Sequence, residues 1–365
     1  MDFFEAQSRA RSKTQWLVLL FILAVLGISA AAYAVLMGGM FFLSDEPDAF
    51  SFWNPAYAIY TFLGVLAVVG LGSLFEWSNL SAGGEVVANM MGGRRIDPLS
   101  ASAEERQLVN IVEEMSIASG VAVPAVYVLD AEPSINAFAA GLTTGDAVVA
   151  VSRGALTQLS RDELQAVIGH EFSHILNGDM RLNVRLSATI FGILMLAILG
   201  RHLLRVMFYS GGSRRSSKEN GGGIAIMLGA GLALVLLGYI GYFFGRLIQA
   251  AVSRQREFLA DASAVQFTRN PRGMVGALNK IRLNAAGSAV QNDRAQEFSH
   301  FFFAQAFSSS LFSLFATHPP LEERIRAIDP QFDLETPLPA SSQQKSSPPP
   351  ISQRNSSAPA AVSPT

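Results

Sequence analysis

Four apolar stretches break up a chain that otherwise alternates charge and grease at short range. Trp16–Leu43, Ser51–Phe75 and Gly221–Gly245 carry no charged residue, and each is long enough to cross a bilayer as a helix. Leu186–Gly200 is bounded by Arg185 and Arg201; it is short for a crossing and spans only by snorkelling or by extending toward Phe208. The first stretch is too long for a signal peptide and lacks a small-residue cleavage site.

Between and after these stretches the pattern changes to amphipathic helices and short strands. Ser102 and Glu105, and again Ser160 and Glu163, have the spacing of a capping box, in which the hydroxyl and the carboxylate satisfy each other's backbone N–H groups. Behind the first run Leu108, Ile111, Val112 and Met115; behind the second, Leu164, Val167, Ile168, Phe172 and Ile175, both at helical spacing. Gly120 and Gly178 stand where a left-handed residue would end each helix. Ala125–Leu129 and Ala147–Val151 are β-rich runs flanked by Pro, Asp and Gly, which predicts two strands. An exposed edge strand of such a sheet can hold an extended peptide by main-chain hydrogen bonds. Ser253–Ala264 reads as a further helix. Phe298–Leu321 is Phe-rich and uncharged but interrupted by Gln305 and serines, which favours a core helix or pocket wall over a span. Beyond Pro330 the composition turns Pro-, Ser-, Ala- and Gln-rich, as in disordered tails.

The chain has 365 residues, of which 50% are hydrophobic and 15% charged, low charge for a soluble protein. A net charge of −2 offers no electrostatic footprint for nucleic acid. Arg9, Arg11 and Lys13 precede the first span, whereas the following loop holds Asp45, Glu46 and Asp48 without a basic residue. The positive-inside rule therefore puts the N-terminus in the cytoplasm and returns the chain there before Glu76. Arg201, Arg205, Arg214, Arg215 and Lys218, between the last two apolar stretches, run against that rule if both cross.

Within the second capped helix lies His170-Glu171-Phe172-Ser173-His174. At a spacing of four, both imidazoles project from one helical face and can grip one Zn²⁺, with Glu171 beside it to take a proton from water. No cysteine exists, so further ligands must be His, Asp or Glu. A catalytic zinc has three protein ligands, and Glu257 is the best candidate for the third. Asp261, one turn on, would hydrogen-bond a ligand histidine and fix its tautomer. His202 and His300 read as structural. His318 opens His318-Pro319-Pro320-Leu321-Glu322-Glu323-Arg324-Ile325, a rigid turn into a helix, and its chemistry alone leaves structure and function open. A transporter or a scaffold with a regulatory zinc site is the alternative to an enzyme, but the spans lack the polar or broken elements at mid-depth that transporters use.

SINAFAAG (Ser134–Gly141), HEFSHILNGD (His170–Asp179), SRQREFLADASA (Ser253–Ala264) and THPPLEERI (Thr317–Ile325), in that order, resemble the HtpX family of integral-membrane zinc metalloproteases, related to the CAAX-processing membrane proteases. The resemblance spans roughly residues 1–330. It implies a mainly α fold with a small β-sheet (α+β), multi-pass membrane helices and a gluzincin-type metallopeptidase domain. One zinc per chain would be held by His170, His174 and Glu257, with Glu171 as general base and polypeptides, including misfolded membrane proteins, as substrates. It further implies that Asn136 lies near the substrate strand, and that His318 and Arg324 approach the active site, stabilising the oxyanion, or with His318 capping the zinc at rest. The resemblance places the protein in a bacterial inner membrane, with its active site facing the cytoplasm and a role in quality control under stress. The resulting partition is a cytoplasmic segment over 1–15, two membrane helices over 16–75, a first peptidase part over 76–184, a membrane hairpin over 185–248, a second peptidase part over 249–330 and a tail over 331–365. The basic loop Arg201–Lys218 and the tail lie outside the family pattern.

Overall fold

The computed structural model describes residues 3–42, 44, 50–81, 83–210, 221–284, 316 and 318–334, with side chains from residue 19 in the first helix and from residue 227 in the eighth. Four helices are long and apolar enough to cross a membrane. These are α1 (Phe3–Phe42), α2 (Pro55–Leu80), α7 (Asp179–Ser210) and α8 (Gly221–Thr268). Central α7 packs against α2 and α8, while α1 packs against α8. Phe21, Ile28, Val65, Val69, Ile190, Ile193 and Leu196 form their shared core. Apolar side chains such as Leu63, Leu71, Leu74 and Phe75 point outward, as expected of helices whose solvent on that face is hydrocarbon.

With water absent from such an interface, helices associate through close packing at small residues. A methyl group added at Gly192 of α7 would stand 2.3 Å from the Val69 carbonyl oxygen of α2, and one at Gly238 of α8 would stand 2.4 Å from the Ala197 nitrogen of α7. Arg185 lies over the Trp77 ring and Arg201 over the Tyr239 ring, each at 5.9 Å, the pairing of cation and amphipathic ring that suits a membrane boundary. The stretch around Leu186–Gly200, short by itself, belongs to a helix of 32 residues. The apolar run from Gly221 and the segment Ser253–Ala264, read as separate helices, are one uninterrupted helix of 48 residues. Nothing between Gly245 and Ser253 breaks a helix; only the charge pattern changes.

The polar part comprises α3 (Gly84–Met90), β1 (Arg94–Arg95), α4 (Ala103–Ser119), β2 (Ala125–Leu129), β3 (Ala137–Ala140), β4 (Val148–Ser152), α5 (Arg153–Gln158), α6 (Arg161–Asn177), α9 (Pro271–Leu283) and α10 (Leu321–Ile328). Both capping boxes form, and Gly120 and Gly178 end α4 and α6 with φ of 73° and 68°. The sheet order is β1-β2-β4-β3, with β2 and β4 parallel and both edge pairings antiparallel. The two expected strands are β2 and β4. β3 and β1 are additions: Ala-Phe-Ala-Ala lacks β-branched residues and alternation, and β1 is two arginines. One sheet face buries Tyr127, Phe138 and Val148 against Val87 and Ala88 of α3 and Met91 just after it, while β3 packs on α6. His300, Arg214, Arg215, Lys218, most of Phe298–Leu321 and the tail from residue 335 lie outside the described residues.

Candidate metal centre

α6 is placed by its sequence so that one face meets α8. The two helices run close at Gly169, where a methyl group would make ordinary contact with the Ala264 Cα of α8 at 3.4 Å. The next residue, His170, is fully buried, as is Glu171. From α8, Glu257 reaches the two histidines of α6. His170 Nε2 is 3.6 Å from Glu257 Oε2, His174 Nε2 is 3.4 Å from Glu257 Oε1, and the two Nε2 atoms are 3.0 Å apart. The three residues form the one group of at least three potential ligands found among the described residues, with ligand atoms all within 4.8 Å of one another.

These distances suit a cation. Two nitrogens bound at about 2.1 Å to a tetrahedral zinc stand about 3.4 Å apart. Two imidazole lone pairs 3.0 Å apart repel unless a proton or metal ion lies between them, and Glu257 adds negative charge. Each histidine is turned by a carboxylate on its other nitrogen. His170 Nδ1 is 2.9 Å from Asp261 Oδ1, and His174 Nδ1 is 2.9 Å from Asp179 Oδ2. A carboxylate only accepts, so Nδ1 carries the hydrogen in both rings. Against burial, the hydrogen bonds to Asp179 and Glu257 raise the His174 pKa well above its ordinary value, so in the metal-free site its Nε2 holds a proton that ligation displaces. Burial pulls the His170 pKa down to about 4, which keeps that ring neutral, as ligation requires.

Glu171 lies between the histidines in sequence and against β3 in space. Burial pushes its pKa up to about 7, near the range useful to a general base. The nearby Ala139 backbone N–H opposes that shift, and Glu171 Oε1 is buried without a partner. Arg324, on α10, is 0% exposed. Its Nε and Nη2 donate to the two Asp261 oxygens at 2.8 and 2.6 Å, and its Nη1 is 3.2 Å from Glu257 Oε2. The guanidinium is thus directed at carboxylates. His318 Nδ1 is 2.7 Å from Glu257 Oε2 but is not aligned as a hydrogen bond, and both ring nitrogens are buried without one. Asn136 is buried at the start of β3, where its side chain accepts from the Ala137 N–H and its own N–H donates to Ser152 Oγ. His202 is exposed on α7.

Sequence reasoning missed the part of Asp179, which reads simply as an acidic first residue of α7. It also missed Arg256, whose Nη1 is 2.9 Å from Asp179 Oδ1. The signal was present in the nearness of Asp179 to His174 and of Arg256 to Glu257.

Residues 102–331 match the sequence profile described as peptidase family M48. A protease HtpX homologue of Streptococcus uberis is 34% identical over 327 residues, covering 89% of this chain and 98% of the relative. Another, from Dictyoglomus turgidum, is 36% identical over 277 residues, covering 74% of this chain and 85% of the relative. Among solved structures, S. mikatae Ste24p aligns with a TM-score of 0.42 at 17% identity, covering 88% of this chain and 66% of that one.

Proposed function

The chain belongs to peptidase family M48 and is a membrane metalloprotease; from that premise we propose that it is a zinc endopeptidase with Glu171 as general base. The single observation that carries the reading is the convergence of His170, His174 and Glu257 beside the unpartnered Glu171 Oε1. Three protein ligands, with a fourth position left for water or substrate, are the donor set of a catalytic zinc. Zinc, when bound, supplies a Lewis acid that polarises a peptide carbonyl and lowers the pKa of water.

The protein's own groups do the rest. Asp261 and Asp179 hold the imidazoles in the Nδ1–H tautomer. Arg324 holds Asp261 and Glu257 in place and compensates their charge in a buried site, a positioning part rather than a direct hold on an oxyanion. Glu171 takes the proton of the attacking water at Oε1 and passes it to the leaving amine. His318, whose Nδ1 faces Glu257 Oε2 at 2.7 Å, is the polar group available to the substrate carbonyl oxygen through its other ring nitrogen, and Asn136 braces the start of β3, the strand beside which the substrate would lie.

The substrates are polypeptides cut close to the bilayer, including misfolded or damaged membrane proteins. The basis is that α7 begins immediately after Gly178, and that Glu257 lies on a helix continuous with a membrane span. The basic residues before the first span favour a site facing the cytoplasm of a bacterial inner membrane. Metal analysis of detergent-purified protein should give one zinc per chain. Glu171→Gln should retain that zinc and lose cleavage of an unfolded protein substrate by about 10²–10⁴-fold. Normal proteolysis by this variant would refute the assignment.

A further inference from the structure

Each ligand histidine heads a chain of the same composition. His170 leads to Asp261 and on to Arg324. His174 leads to Asp179 and on to Arg256. The first chain joins α6, α8 and α10. The second joins the end of α6, the first residue of α7 and the middle of α8, where the two membrane helices meet the peptidase part.

The ordinary reading of Asp179 is an acidic residue placed to suit a helix N-terminus. That function needs no partner side chain and operates at an exposed position, whereas Asp179 is 4% exposed. A carboxylate removed from water to this degree needs partners for both oxygens. Here Oδ2 accepts from His174 Nδ1–H at 2.9 Å, and Oδ1 is ion-paired with Arg256 Nη1 at 2.9 Å without the alignment of a hydrogen bond. Arg256 is itself largely withdrawn, with its side chain 13% exposed and its Nε buried without a partner. It is adjacent to Glu257, so the residue that steadies the Asp179 carboxylate sits on the same helical turn as the third ligand. Two turns further along the α7–α8 seam, Gln249 Nε2 donates to Ser187 Oγ at 2.8 Å. The seam is therefore tied by polar contacts at the end that faces the site.

We propose that Asp179 and Arg256 are positioning residues that form a clasp. The clasp sets the His174 imidazole for metal binding and ties that setting to the packing of α7 against α8. The proposal rests on the metal-centre reading above. It deepens that reading by making metal grip depend on two residues that are not themselves ligands, one of which touches His174.

The test uses the full chain in detergent, with Zn²⁺ affinity measured by competition with a chromophoric chelator and coordination read from the visible spectrum of the Co²⁺-loaded protein. Asp179→Asn keeps an oxygen for Nδ1 but loses the charge and the ion pair; it should weaken metal binding by about 10–100-fold and shift the Co²⁺ bands. Arg256→Gln should weaken binding less. The double variant should bind no worse than Asp179→Asn alone, because Arg256 acts through Asp179. On a protein substrate at saturating metal, kcat should fall while KM holds. Asp179→Asn with affinity within about twofold of wild type and an unchanged spectrum would overturn the clasp, and additive losses in the double variant would overturn the relay through Arg256. If Asp179→Asn does not fold, Arg256→Gln carries the test alone, and unaltered affinity and spectrum there refute the proposal. A wild-type chain that binds no metal would instead remove the zinc reading and the clasp with it.

Discussion

Arg324→Met is the perturbation whose size follows most directly from the structure. The guanidinium is wholly buried, donates at 2.8 and 2.6 Å to Asp261, and lies 3.2 Å from Glu257. Methionine fills similar space without charge, so the loss is electrostatic rather than a cavity. Removing one partner of a buried ion pair leaves the other uncompensated, at about 3–5 kcal/mol. For a domain the size of the peptidase region this corresponds to a fall in Tm of about 6–20 °C. In the metal-free protein Arg324 is the cation that faces both carboxylates at once. A bound metal neutralises Glu257 independently, so the loss should be larger after chelator treatment than in the zinc-loaded protein. Adding Asp261→Leu to Arg324→Met removes the stranded charge and should recover part of the stability. It should not recover metal affinity, because His170 then lacks its Nδ1 partner. Differential scanning fluorimetry in detergent, with and without chelator, measures the first effect, and chelator competition the second. Arg324→Met with a Tm unchanged in both states would refute the account of the buried network.

Ser160→Ala removes the hydroxyl that accepts from the Glu163 N–H and should cost about 1 kcal/mol, read as a lower unfolding midpoint with zinc affinity intact. Glu105 is held below its ordinary pKa of 4.5 by the Ser102 backbone hydrogen bond and then by Arg94. A carboxyl depressed in the folded state stabilises above its unfolded pKa and loses that contribution as pH falls through its folded one. Glu105→Gln should therefore lower stability at neutral pH and flatten the loss below about pH 4.5 in an acid titration of unfolding. Gly238→Val places methyl groups where the Ala197 backbone lies; it should separate α7 from α8 and lower the thermal midpoint by several degrees, whereas the same change at open Gly64 should not.

What could be read from the chain was local. The capping boxes at Ser102 and Ser160, the αL glycines and the His170–His174 spacing are each contained within a turn or two, where covalent geometry dictates the outcome. Glu257 was reachable because the lack of cysteine narrowed the ligand types and Asp261 stood one turn away. β3 was not legible, because Ala-Phe-Ala-Ala gains its strand conformation from pairing with β4, a tertiary effect. The length of α8 was hidden by a change from apolar to charged residues that marks a change of surroundings, not of backbone. Asp179 looks like an ordinary surface charge in sequence, and Arg324 stands out only by the resemblance of its motif, with a hold on the oxyanion as its expected part. Their burial depends on α10 and α7 arriving from distant parts of the chain, and no periodicity records that.

The continuity of α8 has a mechanical consequence. Glu257 lies twelve residues beyond Gly245, or about 18 Å along the rod. A tilt of about 10° around the level of Gly245 would sweep the carboxylate sideways by about 3 Å, whereas coordination distances tolerate about 0.2 Å. Tilt is set by packing against neighbouring helices, so the seams of α8 with α7 and α6 are what hold the carboxylate in register with the histidines.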